Sequence, residues 1–192
     1  IAGKTAQFPL HGWLGESAAL PPGGAALVHT VTLPLAGFLL ALRLQPIFAV
    51  APAAREIIVG VAVFSAFLSS IVALTQTDLG RILSSVASAR LGLVLAGLAA
   101  GAVAAAAVIF ALHLVFVAIL FLGAGFVARA MKGDEEIRSM GGLWRRLPFA
   151  LCWAFCLYDV VTRFQLLASR FQLLASSFRR LARVRHDPEN IS

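Results

Sequence analysis

The chain has 192 residues, 60% of them hydrophobic and only 13% charged, with a mean hydropathy of +0.90. A water-soluble domain is nearer half apolar and a quarter charged, so this composition excludes a soluble globule, a disordered chain, a disulfide-stapled module and a collagen-like rod. The net charge of +7 is unevenly placed: six arginines lie between Arg163 and Arg185 with no acid among them. Runs long enough to cross a bilayer recur, and the expected class is an all-α integral membrane protein. Four to five transmembrane helices and a C-terminal amphipathic helix are expected.

Residues 1–14 are too short to span and carry Lys4 and Pro9, so they read as the end of a discontinuous helix. Pro21-Pro22-Gly23-Gly24 is a breaker cluster. Residues 25–42 then form a spanning candidate in which Pro34 is a kink. A proline-bearing loop is expected over 43–56, and the next span over 57–74. From Leu79 to Ala128 there is no long polar loop. At ~1.5 Å per residue a single helix there would far exceed a ~30 Å hydrocarbon core, so the run crosses twice, about 79–100 and 102–128. Gly97 and Gly101 mark the turn, and Gly92, Gly97 and Gly101 suit close helix approach. Residues 129–146 read as a polar loop and 148–161 as a short or incomplete span, so the expected bundle covers 25–161.

The heptapeptide Arg-Phe-Gln-Leu-Leu-Ala-Ser then occurs twice, at 163–169 and 170–176. Its apolar residues recur in alternating steps of four and three, which gives a helix over 162–186 with one narrow apolar stripe. A coiled-coil seam and a helix lying flat in the membrane interface both fit. The arginine excess and the phenylalanines favour the second, with Arg163, Arg170, Arg179 and Arg180 docking on lipid or on a partner subunit. Residues 187–192 are a tail. Six basic residues lie on the side of Arg81 and the 129–146 loop, against two on the side of Arg43 and Arg55. The positive-inside rule puts the richer side in the cytoplasm or matrix.

Ionisable groups at bilayer depth are costly and therefore informative. Lys4, His29 and His113 can each accept and release a proton near neutrality, as a proton relay requires. Each also has a plainer reading: a histidine that only hydrogen-bonds in the core, a lysine that reaches the interface. Arg90 reads as structural, snorkelling or pairing with Asp78 or a partner chain, because arginine does not deprotonate at useful pH. Cys152 and Cys156 have neither zinc-knuckle nor redox spacing. No nucleophile–base pair, metal cluster, phosphate loop or haem-ligand pattern is visible, and neither a cofactor nor a nucleic-acid partner is expected for this chain.

Five collinear blocks carry a resemblance. Gly3-Lys4-Thr5-Ala6-Gln7-Phe8-Pro9 through Trp13-Leu14 is similar to Gly-Lys-Ser-Ala-Gln-x-Pro-x-x-x-Trp-Leu. Ala26-Leu27-Val28-His29 is similar to Ala-Leu-Ile-His, and Gln76-Thr77-Asp78-Leu79-Gly80-Arg81-Ile82-Leu83 to Gln-Thr-Asp-Ile-Lys-Arg-Val-Leu. The segment from His113 to Gly125 and the block Ile137-Arg138-Ser139-Met140-Gly141-Gly142-Leu143 continue the pattern. Together they resemble the antiporter-like membrane subunits of respiratory complex I, NADH:quinone oxidoreductase, most of all the chain-5 or L branch, over about three quarters of the chain.

The resemblance implies a piece of an antiporter-like bundle that contributes to proton translocation coupled to NADH:quinone electron transfer. The chain would be enzymatic only as a subunit, with flavin and iron–sulfur clusters on partner subunits. It implies Lys4 as the proton-path lysine of a discontinuous helix, and His29 and His113 as polar-axis histidines. Other membrane-arm subunits, one carrying the missing helices, and lipids would be the partners. Where the family has a second buried lysine this chain has Val117, which cannot take a proton, so the path is interrupted or the role mainly structural. The alternative is a cation/proton antiporter or inorganic-carbon transporter of the same fold. The Ile1 start and the partial coverage favour the mitochondrial inner membrane over a bacterial plasma membrane.

Overall fold

The computed structural model describes residues 1–140, which are helical with connecting turns. The double heptapeptide, the 148–161 segment, the cysteines and the docking arginines lie outside the described residues. Helix α1 is Gly12–Glu16, α2 Pro22–Leu27, α3 Leu33–Arg43, α4 Gln45–Val50, α5 Pro52–Thr75, α6 Leu79–Ala99 and α7 Val103–Ala130. Four stretches are long and apolar enough to cross a membrane: Pro22–Arg43, Pro52–Thr75, Leu79–Ala99 and Val103–Ala130. The first is one continuous span because a π-helical turn, Val28–Thr32, joins α2 to α3.

Residues 43–56 are largely helical rather than a loop. Pro46 and Pro52 stand in the first turns of α4 and α5, where a missing N–H leaves no hydrogen bond broken, so these prolines start helices. The residues ahead of α1 are irregular turns, with Gly3, Pro9 and Gly12 interrupting any longer helix. Between α6 and α7 the turn is centred on Gly101, at φ +84°, a left-handed conformation in which glycine carries no Cβ penalty. Gly101 N–H donates to Leu98 O and Ala102 N–H to Gly97 O, both at 2.9 Å, closing the helix end with a Schellman motif. Gly97 thus belongs to the last turn of α6, beside Ala106 of α7.

Lipid tails are as apolar as leucine, so packing in the bilayer relies on small residues and interhelical hydrogen bonds. A Cβ on Gly92 would come within 2.8 Å of Ala62 O and 3.0 Å of the Ala66 Cβ, which seats α6 directly on the α5 backbone. Ser69 and Ser88 hydroxyls meet across that same seam at 3.0 Å. A Cβ on Gly125 would lie 2.5 Å from both Cβ and Cγ of Pro22, so α7 packs against the start of α2. Gly37 of α3 receives Thr5 and Lys4 in the same way, with the Thr5 Cγ2 at 2.7 Å.

Past α7 the chain folds back on the start of α6. Leu79 N–H donates to Glu135 O at 3.0 Å and Ile137 N–H to Thr77 O at 2.9 Å. Asp78 caps α6, its Oδ1 accepting from Arg81 N–H at 2.9 Å. The Ser139 hydroxyl (2.5 Å) and Glu136 N–H (2.9 Å) hold the Asp134 carboxyl below its ordinary value. Those contacts are present at neutral pH and are lost only as acid carries the pH down through that lowered value. Glu135 is pushed up, first by burial and then by the charge of Asp78.

Candidate functional site

Two histidines of the spans, His29 and His113, are fully buried. His29 lies in the π turn and His113 midway along α7. His113 Nε2 is 3.3 Å from the His29 carbonyl oxygen. A carbonyl can only accept, so in this contact His113 Nε2 carries the hydrogen. His29 Nε2 lies 2.9 Å from Ser17 Oγ and 3.5 Å from Ser84 Oγ. Ser17 already donates to Leu14 O (2.8 Å) and Ser84 to Gly80 O (2.9 Å). A hydroxyl has one hydrogen to give, so His29 Nε2 is again the donor. Both Nδ1 atoms are buried and make no hydrogen bond. Neutral in this arrangement, each ring presents Nδ1 as its basic nitrogen.

Aromatic rings hold the pair in place. His29 stacks on Phe121 with centroids 4.3 Å apart, and His113 on Phe110 at 6.0 Å. Arg90 places its guanidinium 4.4 Å above the Phe116 ring, a cation–π contact, within electrostatic range of His113. The expected pairing of Arg90 with Asp78 is not made. At ~1.5 Å per residue the two stand ~18 Å apart along α6, and Asp78 is the helix cap instead. Val117, one turn after His113, is 1% exposed and packs with Ala6, Leu14, Ala25, Ala26, Phe116 and Phe121. Position 117 is therefore filled by close apolar packing.

A cleft of about 290 Å³ with mixed walls, Leu14, Leu68 and Val72 among them, lies between α1, α5 and α6 and reaches Ser84 beside His29. Glu16, Gln76 and Arg81 line it together with Ser84, Ser85 and Ser88. Ser84 is shared: it borders the cleft and stands 3.5 Å from His29 Nε2. At ~30 Å³ per water the cleft holds on the order of ten waters. The protons of Ser85 and Ser88 are committed to Arg81 O and Ala6 O, so these hydroxyls present lone pairs as acceptors, beside the donor groups of Gln76 and Arg81.

Lys4 differs from the histidine pair in its surroundings. It is exposed on the irregular N-terminal segment, which is anchored by Trp13 Nε1–H donating to Gly3 O at 2.9 Å and by Phe8 N–H donating to Ser65 Oγ at 2.9 Å. Sequence reasoning missed Ser17, Ser84 and the cleft. The available signal was the spacing of Ser84 and Ser88, one turn apart on one face of a membrane-spanning helix. Among the described residues no group of three or more His, Cys, Asp or Glu side chains could hold a metal ion.

A bundle of apolar spans enclosing two hydrogen-bonded histidines, with a cleft reaching the serine beside one of them, defines an integral membrane protein with a titratable pair in its core. The family model described as NADH:quinone oxidoreductase/Mrp antiporter, TM, matches residues 1–179, and the chain belongs to that family. Similar proteins include NADH-quinone oxidoreductase subunit L of Rhodobacter capsulatus, 36% identical over 147 residues, 77% of this chain and 21% of the relative. Subunit L of Pseudomonas aeruginosa is 38% identical over 148 residues, 77% of this chain and 24% of the relative. NADH-ubiquinone oxidoreductase chain 5 of Dugong dugon is 33% identical over 147 residues, again 77% and 24%. The chain thus spans under a quarter of the length of these relatives.

Proposed function

We propose that this chain is a membrane-arm piece of NADH:quinone oxidoreductase that moves protons along a line through His29 and His113, driven by electron transfer on partner subunits. The observation that carries this reading is the buried pair itself, each ring donating through Nε2 and each keeping a bare Nδ1. His29 can take a proton at Nδ1 and release the one on Nε2 toward the Ser17 and Ser84 hydroxyls, whereas His113 keeps its Nε2 hydrogen on the His29 carbonyl and takes up and returns a proton at Nδ1. His29 exchanges its Nε2 proton with cleft water by way of Ser84, and His113 carries the line into the bundle. Lys4 joins the line where further helices cover the N-terminal segment. Val117 ends the line one turn past His113, so the path continues through groups on other chains or segments. Flavin and iron–sulfur chemistry stays on partner subunits. Subunits L of bacteria and chains 5 of animals match at similar identity, so the host is that complex in a bacterial plasma membrane or the mitochondrial inner membrane.

Replacing Ser84 with alanine removes the group between cleft and ring while keeping helix α6 intact. Proton uptake or release on this line is expected to slow about a hundredfold, the low end of what a positioned proton-transfer group contributes. Stopped-flow pH measurement on proteoliposomes would read it, and an unaltered rate would remove the cleft from the path.

The family description also names Mrp antiporters, and capture of this chain from native membranes separates the two readings. Flavin- and iron–sulfur-bearing subunits with NADH:quinone activity are expected to come with it. Antiporter subunits alone would overturn the assignment. In the same experiment, a bait lacking residues 163–185 is expected to recover less of the complex, since the arginine stripe is proposed to dock on lipid or a neighbour. Undiminished recovery would end that role.

A further inference from the structure

We infer that Pro34 is a positioning residue for His113, acting by withholding a backbone hydrogen. His29 lies in the π turn Val28–Thr32. In a π turn the carbonyl of residue i is served by the N–H five residues on. For His29 that residue is Pro34, which has no N–H. The His29 carbonyl is therefore left open inside a buried part of the bundle, where an unmatched backbone acceptor is costly. His113 Nε2 fills the vacancy at 3.3 Å from α7. A carbonyl cannot donate, so the contact selects the tautomer with hydrogen on Nε2 and leaves Nδ1, which has no hydrogen-bond partner, as the basic nitrogen. The proline does more than kink a span: by leaving one carbonyl unserved it ties the two histidines together and sets which nitrogen of the second can take a proton.

This inference deepens the proton-relay reading and rests on it only for the consequence in pumping; the tautomer stands on its own. The test uses the full chain with 15N-labelled histidine in lipid bilayers, with His113 assigned by its loss in His113→Gln. Solid-state 15N spectra of the native chain are expected to show neutral His113 protonated at Nε2. A native His113 protonated at Nδ1 would overturn the inference outright. Pro34→Val returns an N–H to the helix and is expected to shift His113 toward a mixture of tautomers. An α-hydroxy acid at position 34 makes an ester, lacks the N–H without having the proline ring, and is expected to restore the native spectrum. If the ester behaves like Pro34→Val, the ring and not the missing hydrogen is what matters, and the inference falls.

In the assembled complex, Pro34→Val is expected to slow proton transfer about two- to tenfold, the rate equivalent of one lost hydrogen bond. A changed tautomer with unchanged pumping supports the positioning role and counts against the relay. An unchanged tautomer in Pro34→Val overturns the positioning role and leaves the relay standing.

Discussion

Replacing His113 with glutamine is expected to abolish most proton movement on this line while leaving the fold in place. Glutamine keeps an amide N–H that can reach the His29 carbonyl, so the α7 contact survives. It cannot bind a proton at accessible pH, so the relay does not. Positioned acid–base groups contribute about 10²- to 10⁴-fold to proton transfer, and a loss at the lower end of that range is expected here. The measurement is the number of protons translocated per NADH oxidised in proteoliposomes holding the assembled complex. His29→Gln is expected to act in the same direction, because His29 stands between the cleft and His113. An unchanged ratio in both variants with intact assembly would leave the two histidines as packing residues.

The second large effect concerns the seam between α2 and α7. The two elements carry the chain into His29 and past His113, and Gly125 sits where any side chain would meet the Pro22 ring at 2.5 Å. Proline cannot swing aside as a long side chain can, so Gly125→Ala must push α7 away from α2. Overpacking of this kind costs about 1–3 kcal/mol, and the displacement falls on the 3.3 Å contact between the histidines. Gly123 on the same helix has nothing within 4 Å of its added Cβ, which makes Gly123→Ala the matched control. Gly125→Ala is expected to lower the thermal midpoint of the chain in detergent and to reduce pumping. Gly123→Ala is expected to leave both near native values or to raise the midpoint slightly, since alanine favours helix over glycine by ~1 kcal/mol. Equal behaviour of the two variants would contradict close packing at Pro22.

Much of this architecture is legible in the order of residues. Uninterrupted apolar length demands the spans. The run from Leu79 to Ala128 has to turn because a single helix would overshoot the bilayer, and Gly101 supplies the left-handed residue at which it turns. His29 and His113 announce themselves as rare ionisable groups in apolar surroundings. The remainder is hidden for specific reasons. Pro46 and Pro52 read as breakers, although at a helix start a proline breaks nothing. Nothing in local composition signals a π turn, so the five-residue spacing of His29 and Pro34 carries no meaning until the register is seen. Ser17 and Ser84 belong to no motif the sequence offers, yet they fix the donor nitrogen of His29. Arg90 and Asp78 suggest an ion pair by charge, and the pitch of one helix keeps them apart.

Val117 illustrates how a single site combines both kinds of information. Its identity says that no proton stops there, and its surroundings say why a lysine would not be accommodated. The side chain is enclosed by alanines, Leu14, Phe116 and Phe121, and an ammonium there would have to shed its charge or open the core. In the proposed relay this chain's own line ends at His113, with apolar packing at Val117.

The most direct test of that line is the infrared difference spectrum of the assembled complex when NADH is added, recorded with ordinary and with 15N-labelled histidine. Imidazole bands that move with the isotope and disappear in both His29→Gln and His113→Gln are the predicted result, showing that these rings change protonation during turnover. A spectrum that is the same in the native complex and in both variants would contradict it.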